Sequence, residues 1–386
     1  MKKVLEGIRV LDQGTFITGP AAGMLLADMG AEVIKVEQPG NGDPFRAFKG
    51  GLYSPHFQTY NRNKKSITLN TKEPEDLAVL DELVLSADVY IQNFRPGAAD
   101  RLNVGESRLR ALNSKLVYCA ISGFGQTGPA ATRPAYDSVA QAASAFLGLL
   151  INPENPRVVG PAIADAVTGF YAAMGIMGAL FDRSRTGEGA LVEVSMLEAM
   201  CHFNLDAFTH YYSAGEVMGP YSRPSVSQSY VMKCGDGKWI ALHMSSPEKF
   251  WQGLARAIQR ENLFDDPRFC DRNARIENQE ALIQVLSDIF ATQDRPEWCR
   301  RLEAEDVPHA PMYDTSEALN DPQAQHLGIL VEGRHEQMGA FQTVRTPLTF
   351  NGQRERSVVP PPVLGEHNAQ IVAPLRERLA QKPGGL

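Results

Sequence analysis

Gly160–Ser195 reads GPAIADAVTGFYAAMGIMGALFDRSRTGEGALVEVS and divides into three parts. A loop of small residues ends at Asp165. Ala166 to Arg183 reads as a helix of small and apolar residues, and Thr186-Gly187-Glu188-Gly189 breaks it as a turn. Ala190 to Ser195 then alternates as a strand does. Gly169, Gly175 and Gly178 each weaken an exposed helix by up to ~1 kcal/mol relative to Ala. Such a helix makes sense where another backbone must approach it closely. Asp165 stands at its start, and two readings of that carboxylate are open. Asp is a good N-cap, worth ~1 kcal/mol, and the helix dipole favours it there. Alternatively the position is a site. The amides that hold the carboxylate ionised can also stabilise an oxyanion formed when it attacks a carbonyl, and a carboxylate can act as a covalent nucleophile.

Upstream, the alternation of strand and helix repeats. Ile8 to Leu11 is a short strand, Gly14 to Pro20 a turn, Ala21 to Met29 a helix of small residues, and Glu32 to Glu37 a second strand. Ser66 to Leu69, a helix through Leu77 to Leu85, Asp88 to Ile91 and Leu116 to Ile121 continue the pattern. Parallel βαβ units of this kind predict a doubly wound α/β domain, with ligands beyond the carboxyl ends of its strands. Downstream, Met196 to Ala214 is helical, and Gly219 to Ser227 has the composition of a linker. Tyr230 to Cys234 and Trp239 to His243 form a hairpin around a Gly-rich turn, with helices following. The expected organisation is a large Rossmann-like domain over 1–218, a linker over 219–229, a small α+β domain over 230–325, and a C-terminal segment over 326–386.

Composition bounds the function. A chain of 386 residues with a net charge of -7 argues against general nucleic-acid binding, though a local basic cluster can still hold an anion. The five cysteines are scattered and odd in number, which fits free thiols in a reducing compartment. Neither a signal peptide nor a run of about 18 apolar residues is evident, so the reading is a cytoplasmic protein with no membrane partner. The eight histidines show no HxH or HExxH spacing, which predicts no metal.

Arg62, Lys64, Lys65, Lys72, Arg95 and Arg101 fall in or near loops at strand ends. They are candidate phosphate partners, with Phe94 placed to cover a base or a pantetheine chain; the bland reading is solvated loop charge. Gly123, Gly125 and Gly128 have the G-x-G-x-x-G spacing of a dinucleotide fingerprint, but Pro129 and Pro134 stand where the phosphate-binding helix would begin. A glycine-rich turn near a ligand is the better reading. Asp137 opens an Ala-rich helix and can be only a cap, and Met196 can be only a packing residue.

Several blocks together resemble the class III CoA-transferases, the CaiB/BaiF family. These are LEGIRVLDQGTFITGPAAGMLLADMGAEVIKVEQPGNGDPFR, NRNKKSITLNTK, QNFRPG, SGFGQTGP, IADAVTGFYAAMGIMGALFDRSRTGEGALVEVSM and LGEH, in order and over essentially the whole chain. The resemblance implies an interlocked homodimer of two-domain subunits, in which the C-terminal segment returns to the large domain. It implies that Asp165 is the nucleophile, and that CoA contacts fall on Phe16, Ile17, Leu69, Lys72, Asn93, Phe94, Arg95, Arg101, Tyr136, Asp137 and Met196. Gln38 stands where the family often has an Arg, and Pro134, next to Arg133, where some members have a basic residue. The oxalate-handling members carry a polyglycine loop that YSRPSVSQSYVMKCGDGKWI lacks, so formyl-CoA:oxalate transfer is not supported.

The implied reaction moves CoA from an acyl-CoA thioester to a free carboxylic acid through aspartyl anhydride and thioester intermediates, with CoA as substrate and no tightly bound cofactor. Amides at the helix start are the candidate oxyanion donors. A racemase of 2-methylacyl-CoA thioesters in the same family is the nearest rival. It pairs a His-Asp with a second Asp, positions that correspond to Tyr136, Asp137 and Asp165. Tyrosine, ionising near ~10, is a poor base near neutrality. A non-catalytic CoA-binding protein and an NAD-linked oxidoreductase are the remaining alternatives.

Overall fold

The computed structural model describes residues 3–245 and 247–381. The described chain forms two compact units. The first runs to Leu147, resumes over Val158–Leu205 and resumes again from Gln325; the second comprises Gly148–Arg157 and Asp206–Ala324.

The first unit is built on a sheet of parallel strands: β1 (Arg9–Asp12), β2 (Glu32–Glu37), β3 (Lys64–Thr68), β4 (Val89–Gln92), β5 (Val117–Ser122) and β6 (Leu191–Ser195). Their order is β3-β2-β1-β4-β5-β6, and every pairing is parallel. β4 and β5 are buried along their whole length, as the runs VYIQ and VYCAIS require when both faces are covered. The strand order reverses between β1 and β4. In such sheets that switch point opens a crevice beyond the strand ends.

Up to Leu205 the α-helices of this unit are α1 (Thr18–Asp28), α2 (Pro55–Tyr60), α3 (Pro74–Leu85), α4 (Ala98–Arg101), α5 (Glu106–Leu112), α6 (Asp137–Ala143), α7 (Ile163–Thr186) and α8 (Met196–Phe203). α7 starts three residues before the sequence reading placed it, so Asp165 lies inside its first turn. Gly187, at φ 79°, ends it in a left-handed cap whose N–H bonds to Arg183 O. α7 is long and apolar enough to qualify as a membrane span by length and composition, with a mean hydropathy of 1.4. This corrects the sequence reading that no such run exists: small residues interleaved with Ile, Met and Leu keep the average high. Its Val167, Ala172, Ala173, Ile176 and Leu180 are buried within the unit. Gly169 has the role its residue type suggests. A Cβ there would stand 2.7 Å from Ala21 Cβ and 3.0 Å from Thr18 O, so only glycine lets α1 and α7 approach this closely.

The second unit holds an antiparallel sheet of β7 (Ser229–Lys233), β8 (Trp239–His243) and β9 (His309–Pro311). Helices Glu248–Ala257, Gln279–Phe290 and Arg295–Ala304 supply a core of Trp251, Leu254, Leu282, Leu286, Phe290, Trp298 and Leu302. The stretch read as a linker contains a short helix, Ser222–Val226, because Pro224 falls in a first turn where its missing N–H costs nothing.

The last part of the chain lies with the first unit. β10 (Leu330–His335) and β11 (Gly339–Val344) form a hairpin that the sequence reading missed. Beyond it, His367 N donates to Ser66 O, Ser66 N donates to His367 Nδ1, and Thr68 N donates to Asn368 Oδ1. The LGEH block therefore clamps the tail along β3. A final helix, Ala373–Ala380, meets α3, where Arg376 pairs with Asp76.

Substituting Gly169→Val should destabilise the protein by about 1–3 kcal/mol through overpacking. The measurement is the urea midpoint; an unchanged midpoint would show that the two helices can part at no cost.

Candidate active site

A cavity of about 190 Å³ lies at the switch-point crevice. The loop after β1 (Thr15 to Thr18), the loop after β4 (Asn93 to Pro96), the end of β5 (Ile121 to Gly123), Arg133, Tyr136, Met196 and Asp165 all line it. Eight of the residues singled out in the sequence therefore meet here: Phe16, Ile17, Asn93, Phe94, Arg95, Tyr136, Asp165 and Met196.

Asp165 does not cap its own helix. The residue before α7 is Ala162, which offers no side-chain bond. The cap comes from α6: Asp137 Oδ1 accepts from Ala164 N at 2.8 Å and from Asp165 N at 3.3 Å, while Gln141 Nε2 donates to its Oδ2 at 2.6 Å. The bland reading of Asp165 is thereby overturned, and its carboxyl is left for other work. The expectation of oxyanion donors at the helix start is overturned too. Two of those amides serve Asp137, Ile163 N donates to Pro161 O, and Ala166 N to Ala162 O. Nor does the helix dipole keep Asp165 firmly ionised. Burial, and then the nearby Asp137 charge, push its carboxyl up to about 7.

The loop after β1 is held from below. Asn93 spends its side chain on it, accepting from Thr15 N at 2.9 Å and donating to Thr15 O at 2.7 Å and Thr18 Oγ1 at 2.9 Å. Asn93 thus shapes the wall, and its amide is already engaged. Beneath lies a buried set of charges. Lys64 Nζ meets Asp12 Oδ2 at 2.8 Å, Lys35 Nζ meets Asp43 Oδ2 at 2.9 Å, and Arg46 holds Glu37 through two 2.7 Å bonds. Burial opposes ionisation of Asp12, but Lys64 and Lys35 outweigh it and hold its carboxyl below the usual range. Burial pushes Lys64 down to about 8 against the attraction of Asp12.

Several expected ligand cations are therefore structural. Lys64 belongs to the buried set, Arg62 pairs with Asp28, and Lys65 pairs with Glu32. Lys72, Arg95, Arg101 and Arg133 are exposed and have no carboxylate partner among the described residues. Arg95 and Arg133 reach the cavity; Lys72, Arg101 and Gln38 do not line it. Leu69 is fully buried in the core, so only its backbone could meet a ligand. Arg133 was noted in the sequence only as the neighbour of Pro134. Its pairing with Phe124, 5.3 Å from the ring centre, is a contact no spacing rule predicts. The glycine-rich turn has no helix behind it before α6, so the dinucleotide reading lacks its phosphate-binding terminus. Gly123 is there for space: a Cβ would lie 2.4 Å from Ala135 Cβ.

The family model for CoA-transferase family III matches residues 5–368. A succinate–glutarate CoA-transferase from Agrobacterium fabrum is 33% identical over 386 residues, covering 97% of this chain and 96% of the relative. A formyl-CoA:oxalate CoA-transferase from Streptomyces avermitilis is 34% identical over 391 residues, covering 96% of this chain and 95% of the relative. The crystal structure of a CaiB/BaiF family protein from Brucella suis superimposes with a TM-score of 0.86 at 29% identity, covering 97% of this chain and all of that one.

The raised Asp165 carboxyl has a stability consequence. The folded protein holds that proton up to about 7, whereas an unfolded Asp releases it near its ordinary 3.8. Stability from this group is therefore complete below 3.8 and is lost as pH rises to about 7. The thermal midpoint of Asp165→Asn should climb relative to wild type across that window and level off above it. A difference that does not change with pH would show that Asp165 is not desolvated.

Proposed function

The chain belongs to CoA-transferase family III and is a CoA-transferase; we propose that Asp165 is the group that carries the acyl and CoA moieties between donor and acceptor. The observation that carries this reading is the capping of α7 by Asp137. It leaves the Asp165 carboxyl unspent on the wall of the switch-point cavity. A carboxylate whose proton binding is raised to about 7 is more basic than a free Asp, and at neutrality a large share of it is still ionised.

An Asp165 oxygen attacks the thioester carbonyl of the acyl-CoA; the C–S bond breaks and CoA thiolate leaves, forming a mixed anhydride. Thiolate then attacks the Asp165 carbonyl, releases the donor acid and leaves an aspartyl-CoA thioester. An acceptor carboxylate displaces thiolate to form a second anhydride. Thiolate attacks its acyl carbon, freeing Asp165 and the new acyl-CoA. Anhydride and thioester lie close in energy, so each step is reversible, provided water is kept out. Phe16, Ile17, Asn93, Phe94, Arg95, Tyr136 and Met196 are the proposed CoA-contacting wall, with Arg133 added to them. Lys72, Arg101 and Gln38 are proposed to meet the ligand outside the cavity, Leu69 through its backbone, and Asp137 as the cap behind Asp165. Arg95 and Arg133, with no carboxylate partner among the described residues, suit an anionic ligand.

The relatives' names point to dicarboxylic acids as the acceptor class, and the missing polyglycine run favours a diacid longer than oxalate. We further propose an interlocked homodimer of a large domain, a linker and a small domain, located in the cytoplasm. Phe170, Met174 and Phe181 lie along one side of α7 at 57%, 57% and 67% exposure, an apolar stripe suited to a partner subunit. The racemase reading is disfavoured because both Asp137 oxygens are engaged and Tyr136 occupies the His position.

Asp165→Ala should lower transfer from succinyl-CoA to glutarate by at least ~1000-fold while CoA binding survives. The wild type should show a mass shift on the Asp165 peptide after exposure to succinyl-CoA. Wild-type turnover in the variant would refute the covalent role. Deuterium exchange at the α-carbon without any acceptor acid would favour the racemase. For the wild type, kcat/KM should rise with pH to a plateau above about 7, as the carboxyl loses its proton.

A further inference from the structure

The GNGDPFR stretch has no part in the chemistry above, yet its Asp43 touches a strained residue of the cavity wall. Phe16 has a φ of 60°, a left-handed backbone that is uncommon for a residue with a bulky side chain. Such a conformation persists only where its surroundings over-determine it, and it is found at working sites. Here the surroundings are explicit. Gly14 N donates to Asp12 Oδ1 at 2.9 Å, Gly14 O accepts from Lys35 Nζ at 2.8 Å, and both Thr15 backbone groups are taken by Asn93. Phe16 N donates to Asp43 Oδ1 at 3.1 Å. Asp43 is itself fixed. Its Oδ1 also accepts from Phe45 N, its N–H donates to Glu37 Oε2, and its Oδ2 meets Lys35. The Phe16 ring lies edge-on to Phe45 at 5.2 Å and to Tyr136 at 6.0 Å, and both Phe16 and Tyr136 line the cavity that holds Asp165.

We propose that Phe16, held in its left-handed backbone by the buried Asp43 carboxylate, shields the acylated Asp165 from water, with Asp43 a positioning residue that acts through it. This rests on the reading of Asp165 as the acyl carrier. The reaction prevented is addition of water to the anhydride carbonyl. That would release the donor acid, regenerate the Asp165 carboxylate and leave CoA as free thiol, so that acyl-CoA is hydrolysed. The rate of that loss relative to transfer is a property that a purely structural ion pair would not set.

The test measures thiol release from succinyl-CoA without acceptor against transfer to glutarate, on the full chain. Phe16→Gly and Asp43→Asn should each raise the ratio of hydrolysis to transfer by about tenfold, equivalent to ~1.4 kcal/mol between competing barriers. Phe16→Tyr, which restores a ring, should return the ratio toward the wild-type value. The double variant should be no leakier than Phe16→Gly alone, because the two substitutions remove one device. If Asp43→Asn does not fold, Phe16→Val stands in for it. A β-branched residue resists a φ of 60° with Asp43 intact, and the ratio should rise in the same way. An unchanged ratio in Phe16→Gly, or a doubly leaky double variant, would overturn the proposal. Asp165→Ala separates the two ideas: if thiol release and transfer both survive in it, the acyl-carrier reading has failed and the shield falls with it, whereas loss of both in Asp165→Ala together with an unchanged ratio in Phe16→Gly overturns the shield alone.

Discussion

One carboxylate, Asp137, governs the site without occupying it. By capping α7 from another helix it does for Ala164 and Asp165 what a helix of this composition would otherwise ask of its own first residues. That single interaction fixes where α7 begins and releases Asp165 from structural duty. It also sets a second negative charge near a half-buried acid, which together with burial lifts the Asp165 carboxyl to about 7. Geometry and electrostatics thus come from the same contact. An uncapped α7 would draw Asp165 back toward its own amides, where the carboxyl would be more acidic and less nucleophilic.

A different constraint maintains the opposite wall. Asp12, Asp43 and Glu37 are matched by Lys64, Lys35 and Arg46, so the charge buried beneath the loop after β1 is balanced. Buried ion pairs seldom raise net stability, because the cost of leaving water offsets their attraction; removing one partner, however, costs several kcal/mol. Such a set is better understood as defining one conformation. It leaves the Gly14–Thr18 backbone a single arrangement, including a residue that would not choose it.

Much of this was legible in the sequence. Gly169 of α7, the alternation of strand and helix, and the length of β2 follow from local residue patterns, and so does the gathering of loops at the strand ends; Gly178, by contrast, has open space where its Cβ would be. The cavity residues came from the family resemblance and from their position after strands. What was not legible depends on contacts between distant segments. No local rule tells a ligand-binding lysine from one that pairs with an aspartate 52 positions away, as Lys64 does with Asp12. The capping rule placed Asp165 correctly at a helix start but could not foresee that a carboxylate 28 positions earlier would take its place. The β10–β11 hairpin was missed because His335 and Gly339 bound a turn with none of the usual dipeptide signals.

The tail clamped along β3 bears on how the molecule is made. Arg46, under the cavity wall, donates one of its bonds to Pro362 O, a partner 316 positions later in the chain. Ser66 links the same region to the LGEH block, donating to Glu37 and accepting from Gly365 N. Residues near the amino terminus emerge from the ribosome long before these partners exist, and distant pairings are the slow part of folding. The sheet can assemble during synthesis, but the floor beneath Phe16 is finished only once Pro362 and Gly365 have been made. A nascent chain that has not reached them would therefore hold Asp165 without its complete enclosure.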